Sequence, residues 1–402
     1  MQPLRIVCDA NIPAAEAAFG PLGTVRLMPG HAITRDVLQD ADALLVRSVT
    51  RVDAALVADT PVWFVGTATA GVDHVDVAAL GRLGIAFESA PGSNATSVAE
   101  YVLAALLELL AAQERDARAL TLGVVGHGQV GGRVAARAEA LGMDVLVCDP
   151  PRAATDDTVG GGLVGGGYVA LADVLAASDV VTLHTPLTDG GLWPTRGLIG
   201  TAELVAMRPG AILVNAARGP VVDGAAVLAA RRSGRLGALV VDCWPGEPAP
   251  SPALVAAADV ATPHIAGYSA EGKLNGTAML AAALHAWGGR DEAPWTVPAP
   301  PPREIDLAAM ALPDPAASGQ ARTAWLAAVA RQAYDVRGDD ARFRRAMADA
   351  DPDARAAAFA ELRRAYPVRH ENAAFVVRGA VPGDLRRAVT DGLGMRIDPS
   401  SP

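Results

Sequence analysis

The sequence predicts an α/β protein with two doubly wound parallel-sheet domains followed by a C-terminal α+β domain. Three observations predict it. Short apolar runs alternate with helical patterns from the first residues onward, the rhythm of parallel strands joined by crossover helices. A second series of such runs follows a long apolar stretch at 98–112. Between Ala293 and Arg303 the chain reads APWTVPAPPPR, where prolines block regular structure and mark a boundary.

In the first series, residues 5–8, 43–46, 62–65 and 85–87 read as strands; in the second, 122–126, 144–148, 180–183, 211–214, 238–241 and 259–262 do. Gly160–Gly167, GGGLVGGG, is too glycine-rich to hold a helix or strand cheaply and reads as a surface loop. Past the proline-rich stretch, alanine- and arginine-rich helical patterns precede a strand candidate at 373–377 and a last helix near 383–391. Trp325, Val329 and Val336, with Ala328 and Ala333, set apolar surface along one side of a helix there, which either pairs with a second copy of the chain or packs on the chain's own core. The expected domains are therefore 1–97 with 266–290, then 98–265, then 291–402.

Composition narrows the class. Of 402 residues 51% are hydrophobic and 19% charged, which describes a globular chain with ample core. A net charge of −10 argues against nucleic acid or anionic lipid as partner, since both reward clustered positive charge. No apolar run is free of charge over the roughly 18 residues a membrane span needs; the richest, at 98–112, contains Glu100 and Glu108 and reads as a buried helix. Cys8, Cys148 and Cys243 lie in separate strand-like runs without CxxC spacing, so no metal site or disulfide is expected and a reducing cytoplasm fits. Lys273 is the only lysine, which leaves little room for Schiff-base or P-loop chemistry.

Residues 121–149 read TLGVVGHGQVGGRVAARAEALGMDVLVCD: strand, glycine turn, helix, strand and terminal acid. Gly126 permits the tight turn, Gly128 lets the backbone approach a pyrophosphate, and Gly131 lets the helix pack closely on the strand. Gln129 and Val130, between the last two glycines, open the helix whose free N–H groups face the phosphates. Asp149 ends the second strand, where a carboxylate accepts from ribose hydroxyls and repels the 2′-phosphate of NADP, so the cofactor expected is NAD. Glycine turns are common and a kinase loop shares the spacing, but the full context is present and no kinase lysine follows.

Three later segments end strand-like runs with polar residues: ILVNAARG at 212–219, VVDCWPGEP at 240–248 and VATPHIAGY at 260–268. They supply Arg218, Glu247 and His264 at the strand ends where open α/β sheets bind ligands. An arginine clamps a carboxylate, a histidine exchanges a proton near neutral pH, and a glutamate beside it fixes its tautomer and raises its proton affinity. Singly, Arg218 reads equally as a surface ion pair, Glu247 as a turn residue and His264 as a loop histidine.

Their order and spacing after the dinucleotide turn resembles the D-isomer-specific 2-hydroxyacid dehydrogenase family. Further segments extend the resemblance, and within the family it is closest to the branch that oxidises 4-phospho-D-erythronate to 2-oxo-3-hydroxy-4-phosphobutanoate on the route to vitamin B6. These are LLVRSVTRV at 44–52, FVGTATAGVDHVD at 64–76, CDPPRA at 148–153, HTPLTDG at 184–190, TPHIAGYSAEGK at 262–273 and AYDVRGDDARFR at 333–344. The last is the most discriminating, because it lies in the tail. The resemblance implies a substrate-binding first domain, an NAD-binding second one and a C-terminal dimerisation domain giving a homodimer. It implies catalysis by Arg218, Glu247 and His264, substrate contacts at Ser48, Thr69 and Tyr268, and NAD contacts at Asp149, Thr185, Asp242 and Gly267. Arg47 stands as a candidate for the substrate phosphate or as an ordinary surface arginine. Two departures, the glycine-rich loop and Ala217 where a cysteine is expected, lie outside the reacting groups. Another D-2-hydroxyacid dehydrogenase, such as one acting on 3-phosphoglycerate, and a non-catalytic NAD-sensing corepressor remain as alternative readings.

Overall fold

Every strand pairing in the described sheets is parallel, so successive strands of a sheet must be joined by crossovers that return the chain to the same end of it. The structure, a computed structural model, describes residues 2–155, 167–289, 293–349 and 351–400. Residues 160–166 of the glycine-rich run and the expected boundary at 290 lie outside the described residues. The chain forms two units, residues 1–96 with 268–300, and residues 97–267 with 301–402.

The first unit is a five-stranded sheet of β1 (Leu4–Asp9), β2 (Gly23–Met28), β3 (Ala43–Val46), β4 (Phe64–Thr67) and β5 (Ala86–Glu88), in the order β2-β1-β3-β4-β5. Its central strands are apolar and almost wholly buried, as expected where helices cover both faces. Leu280, Ala281 and Leu284 of the helix Ala270–Trp287 pack against Ile6, Leu45 and Phe64. This returning helix belongs to the first sheet although it follows the second in sequence.

The second unit holds β6 (Thr121–Val125), β7 (Asp144–Cys148), β8 (Val180–Leu183), β9 (Ala211–Asn215), β10 (Leu236–Val241) and β11 (Val260–Ala261), in the order β11-β10-β9-β8-β6-β7. The chain winds from β6 outward to β7, then returns to lay down β8 on the other side. That reversal opens a crevice at the carboxyl ends of β6 and β8, the place where such sheets bind dinucleotides. The apolar helix Ala95–Ala112 is long enough to cross a membrane, but 83% of it is buried within the protein. Its acids are used internally: Glu108 takes two hydrogen bonds from Arg331 at 2.6 and 2.7 Å.

The C-terminal residues form a three-stranded sheet, β12 (Arg303–Asp306), β13 (Phe375–Arg378) and β14 (Arg396–Ile397), ordered β12-β13-β14. Helices Gly319–Ala333, Val336–Ala346 and Pro352–Arg364 lie between β12 and β13 in sequence. The tail is bound to the second sheet by specific contacts. Phe343 stacks on Trp244 with ring centroids 5.4 Å apart, and Asp340 accepts from the Ala261 N–H at 2.7 Å. Arg344 donates to the carbonyls of Val255 and Ala258 at 2.9 and 2.6 Å. The stripe of Trp325, Val329 and Val336, expected as apolar surface, is buried within the single chain.

Three strands escape the sequence pattern, β2, β12 and β14, the last only two residues long. β2 is an edge strand with alternating half-exposed positions and an arginine in its middle, so it lacks a continuous apolar run. β12 reads REID and follows directly on the prolines, where only Ile305 is buried.

Candidate active site

The glycine turn after β6 has the geometry its residues require. Gly126 has a φ of 91°, and a Cβ there would come within 2.8 Å of the His184 carbonyl group. A Cβ on Gly131 would lie 1.9 Å from the Gly126 oxygen, so only glycine lets the helix Gln129–Leu141 start this close to the strand. Around Gly128 there is open space within 4 Å, on the side where a pyrophosphate would approach the helix N-terminus opened by Gln129 and Val130.

Asp149, at the end of β7, accepts from the His127 N–H at 2.7 Å and the Arg152 N–H at 3.1 Å. The first of these ties the carboxylate to the glycine turn; its remaining lone pairs stay available to a ribose. Thr185, just past β8, keeps a buried hydroxyl without a hydrogen-bond partner among the described residues. A buried polar atom left unpaired is costly unless a ligand completes it. Open space at Gly128, an anchored acid and an orphan hydroxyl together fit a dinucleotide such as NAD.

The residues expected to be catalytic, Arg218, Glu247 and His264, follow β9, β10 and β11 of the same sheet. His264 Nδ1 lies 2.8 Å from Glu247 Oε2, and Glu247 Oε1 accepts from the Trp244 N–H at 2.6 Å. With Nδ1–H donated to the carboxylate, Nε2 is the nitrogen left to accept a proton. Burial would push the Glu247 carboxyl up, but the bond and charge of His264, the Trp244 N–H and the Arg363 guanidinium outweigh it. Glu247 is held below its ordinary value and stays ionised.

His264 adopts a left-handed backbone, φ 57°, unusual for a residue with a Cβ. The neighbouring hydrogen bonds explain how it persists. The fully buried Asp242 carboxylate accepts from Thr262 Oγ1 at 2.7 Å and from the Ile265 and Ala266 N–H groups at 2.8 and 2.9 Å, while its carbonyl accepts from the His264 N–H at 2.8 Å. Tyr101 bonds Thr262 Oγ1 at 2.7 Å, and Trp244 Nε1 donates to the Thr262 carbonyl at 2.8 Å. From the tail, the buried Arg369 donates to the Ala266 carbonyl at 2.6 Å. Gly267 follows directly.

Arg218 extends from the turn after β9. Asn215 Nδ2 donates to the Arg218 carbonyl at 3.1 Å and to that of Cys243 at 3.2 Å, joining the ends of β9 and β10. A Cβ at Gly219 would sit 1.9 Å from the Trp244 oxygen, so the glycine lets this turn press against the Glu247 segment. Cys243 Sγ, a Glu247 oxygen and a His264 nitrogen lie within 4.8 Å of one another. Burial holds the Cys243 thiol well above its ordinary value, which keeps it protonated and makes it a poor metal ligand.

The other expected substrate residues lie in the first unit. Arg47 and Ser48 follow β3, with Arg47 half-buried and Ser48 exposed; Arg47 Nη1 donates to the Asn11 carbonyl at 3.1 Å. Thr69, after β4, spends its proton on the Gly71 carbonyl at 2.8 Å. Tyr268 precedes the helix Ala270–Trp287, and its ring carries Lys273 Nζ 4.9 Å from its centroid. Sequence reasoning passed over Arg363, Arg369 and Tyr101. Only contact across long sequence separations reveals them, because the tail arginines resemble any others in an arginine-rich helix.

Comparison with known proteins agrees with this geometry. Residues 106–266 match the profile described as "D-isomer specific 2-hydroxyacid dehydrogenase, NAD binding domain", and residues 307–391 match a domain of unknown function. The chain is 50% identical over 401 residues to the erythronate-4-phosphate dehydrogenase of Salinibacter ruber, covering 99% of this chain and 100% of the relative. It is 45% identical to that of Pseudomonas aeruginosa, over 96% and 98% of the two chains. Among solved structures, a glyoxylate reductase from Paecilomyes thermophila aligns with a TM-score of 0.57 at 25% identity, over 70% of this chain and 96% of its own. D-Lactate dehydrogenase from Aquifex aeolicus, complexed with NAD and lactic acid, shares the fold with a TM-score of 0.59 at 24% identity, over 71% and 96%.

The orphan hydroxyl yields a direct test. Thr185→Val keeps the shape and removes the hydroxyl, so NAD affinity should fall roughly 3- to 10-fold, the worth of one net hydrogen bond, with little loss of stability. Titration calorimetry with NAD measures it; unchanged affinity would mean the hydroxyl does not meet the cofactor.

Proposed function

This chain belongs to the erythronate-4-phosphate dehydrogenases of the D-isomer-specific 2-hydroxyacid dehydrogenase family, and we propose that it oxidises 4-phospho-D-erythronate to 2-oxo-3-hydroxy-4-phosphobutanoate with NAD, a step toward vitamin B6. The observation that carries the reading is the 2.8 Å His264–Glu247 pair at the carboxyl edge of a dinucleotide-type sheet. Relatives matched over almost the whole chain, tail included, favour this substrate over 3-phosphoglycerate and an enzyme over a sensor.

Bound NAD supplies the acceptor for the hydride that leaves C2. Gly126, Gly128 and Gly131, with Gln129 and Val130, would hold its pyrophosphate, and Asp149 its adenosine ribose. Thr185, Asp242 and Gly267 would complete the site. His264 takes the C2 hydroxyl proton on Nε2, and Glu247 stabilises the imidazolium that forms. Arg218 grips the C1 carboxylate and polarises the C2 oxygen. Ser48, Thr69 and Tyr268 contact the remaining hydroxyl-bearing chain. The acidic average charge is no obstacle to a doubly anionic substrate, because the positive charge it needs is local.

Residues 1–97 with 266–290 are assigned to substrate binding, 98–265 to NAD binding and 291–402 to pairing of two chains in a cytoplasmic homodimer. Since the tail's stripe is buried in the single chain, pairing rests on the family resemblance and on other tail surface.

Two measurements follow. Wild-type protein should reduce NAD steadily when given 4-phospho-D-erythronate, and His264→Ala should keep cofactor affinity while turnover drops on the order of 100-fold or more; near-normal turnover in the variant refutes the general-base role. Light scattering on the full chain should give twice the monomer mass, and a monomer would rule out the homodimer.

A further inference from the structure

The proposed substrate carries a phosphate that Arg218, Glu247 and His264 do not account for. Within the first unit, two cations border the loop that follows β1. Arg47 Nη1 holds the Asn11 carbonyl of that loop at 3.1 Å. Lys273 sits in the first turn of the helix Ala270–Trp287, which is fastened to the same loop where Thr277 Oγ1 donates to the Pro13 carbonyl at 2.9 Å. Lys273 lies over the Tyr268 ring, which fixes the direction of an otherwise flexible side chain.

Neither cation has a carboxylate partner among the described residues, although the chain has ten more acidic than basic side chains and the buried or half-buried Arg137, Arg231, Arg322 and Arg344 are each paired with one. Lys273 is half-buried, and its ammonium is lowered from the ordinary lysine value first by burial and then by the charge of Arg47; no carboxylate offsets them. Two like charges set beside one loop repel each other, and an anion received between them relieves that repulsion. A phosphate dianion is the ligand that relieves it: the guanidinium offers a planar fork and the ammonium a compact point charge. A lone carboxylate would neutralise only one of the pair.

We propose that Lys273 and Arg47 form the phosphate subsite of the substrate, with Lys273, the only lysine in the chain, as the residue that selects a phosphorylated 2-hydroxy acid over its unphosphorylated counterpart. The assignment rests on the reading of the chain as a 4-phospho-D-erythronate dehydrogenase. Tyr268 then serves two ends, contacting substrate and steering the ammonium.

The test is a comparison of KM and kcat for 4-phospho-D-erythronate and D-erythronate in the full-length wild type, Lys273→Met and Lys273→Arg, with binding of inorganic phosphate measured by calorimetry. Lys273→Met should raise KM for the phosphorylated substrate at least 10-fold. Its kcat/KM for D-erythronate should stay within about 3-fold, the expected size of a change that touches no reacting atom. Lys273→Arg should recover most of the preference, and inorganic phosphate should bind wild type at least 10-fold more tightly than Lys273→Met. Equal losses on both substrates, or no change on either, would overturn the proposal, as would phosphate binding that ignores the substitution. Should the wild type fail to oxidise 4-phospho-D-erythronate, the activity reading falls by itself, and the phosphate titration still decides whether the two cations hold an anion.

Discussion

The geometry of the loop that carries His264 depends on one buried carboxylate. Asp242 ends β10 with no solvent contact, and its side chain and carbonyl take donors from Thr262, His264, Ile265 and Ala266. A buried charge is tolerated only when surrounded by donors, and these donors are the loop that carries His264. The left-handed backbone at His264 costs of order 1–3 kcal/mol, which charge-assisted hydrogen bonds of about 1.5–3 kcal/mol each are able to offset. Removing the acid would leave Thr262 Oγ1 and the Ile265 and Ala266 N–H groups without their acceptor and so loosen the loop that aims the histidine.

The C-terminal tail belongs to the same construction. Arg369 reaches the Ala266 carbonyl, Phe343 packs on Trp244, and Trp244 in turn holds both Glu247 and the Thr262 carbonyl. Arg363, from the helix Pro352–Arg364, adds a positive charge near Glu247. A segment whose family profile is a domain of unknown function thus forms part of the wall behind the histidine–glutamate pair. Its motif at 333–344 supplies anchors to the second sheet: Arg337 to the Asp259 carbonyl, Asp340 to the Ala261 N–H, and Arg344 to two carbonyls.

Much of this was legible in the residues, and the exceptions have physical causes. The central strands are continuous apolar runs because parallel sheets are covered on both faces, so β3, β8 and β9 fall where the pattern places them. β2 and β12 are edges that face solvent on one side and therefore carry charge where a central strand would carry valine. At the site, strand ends put Arg218, Glu247 and His264 where such sheets bind ligands, but singly each reads as an ordinary ion pair, turn or loop residue, and it is the family resemblance of their order and spacing that singles them out. The supporting residues could not be named in this way. Tyr101, Arg363 and Arg369 act through contacts made 100 or more residues away in the chain, and the pattern of Trp325 and Val329 left open whether they meet a second chain or the protein's own interior, which is where they lie.

The central claim is that Asp242 sets the conformation of the loop 262–266. Asp242→Asn would turn an amide N–H toward groups that themselves donate, at nearly unchanged volume. Amide hydrogen exchange of His264, Ile265 and Ala266, followed without cofactor so that a direct effect on NAD binding plays no part, tests this most directly. The account predicts that these three amides lose protection in the variant while β9 and β10 keep theirs, with kcat falling on the order of 100-fold as general-base geometry is lost. Unchanged protection of the loop together with near wild-type kcat would contradict it.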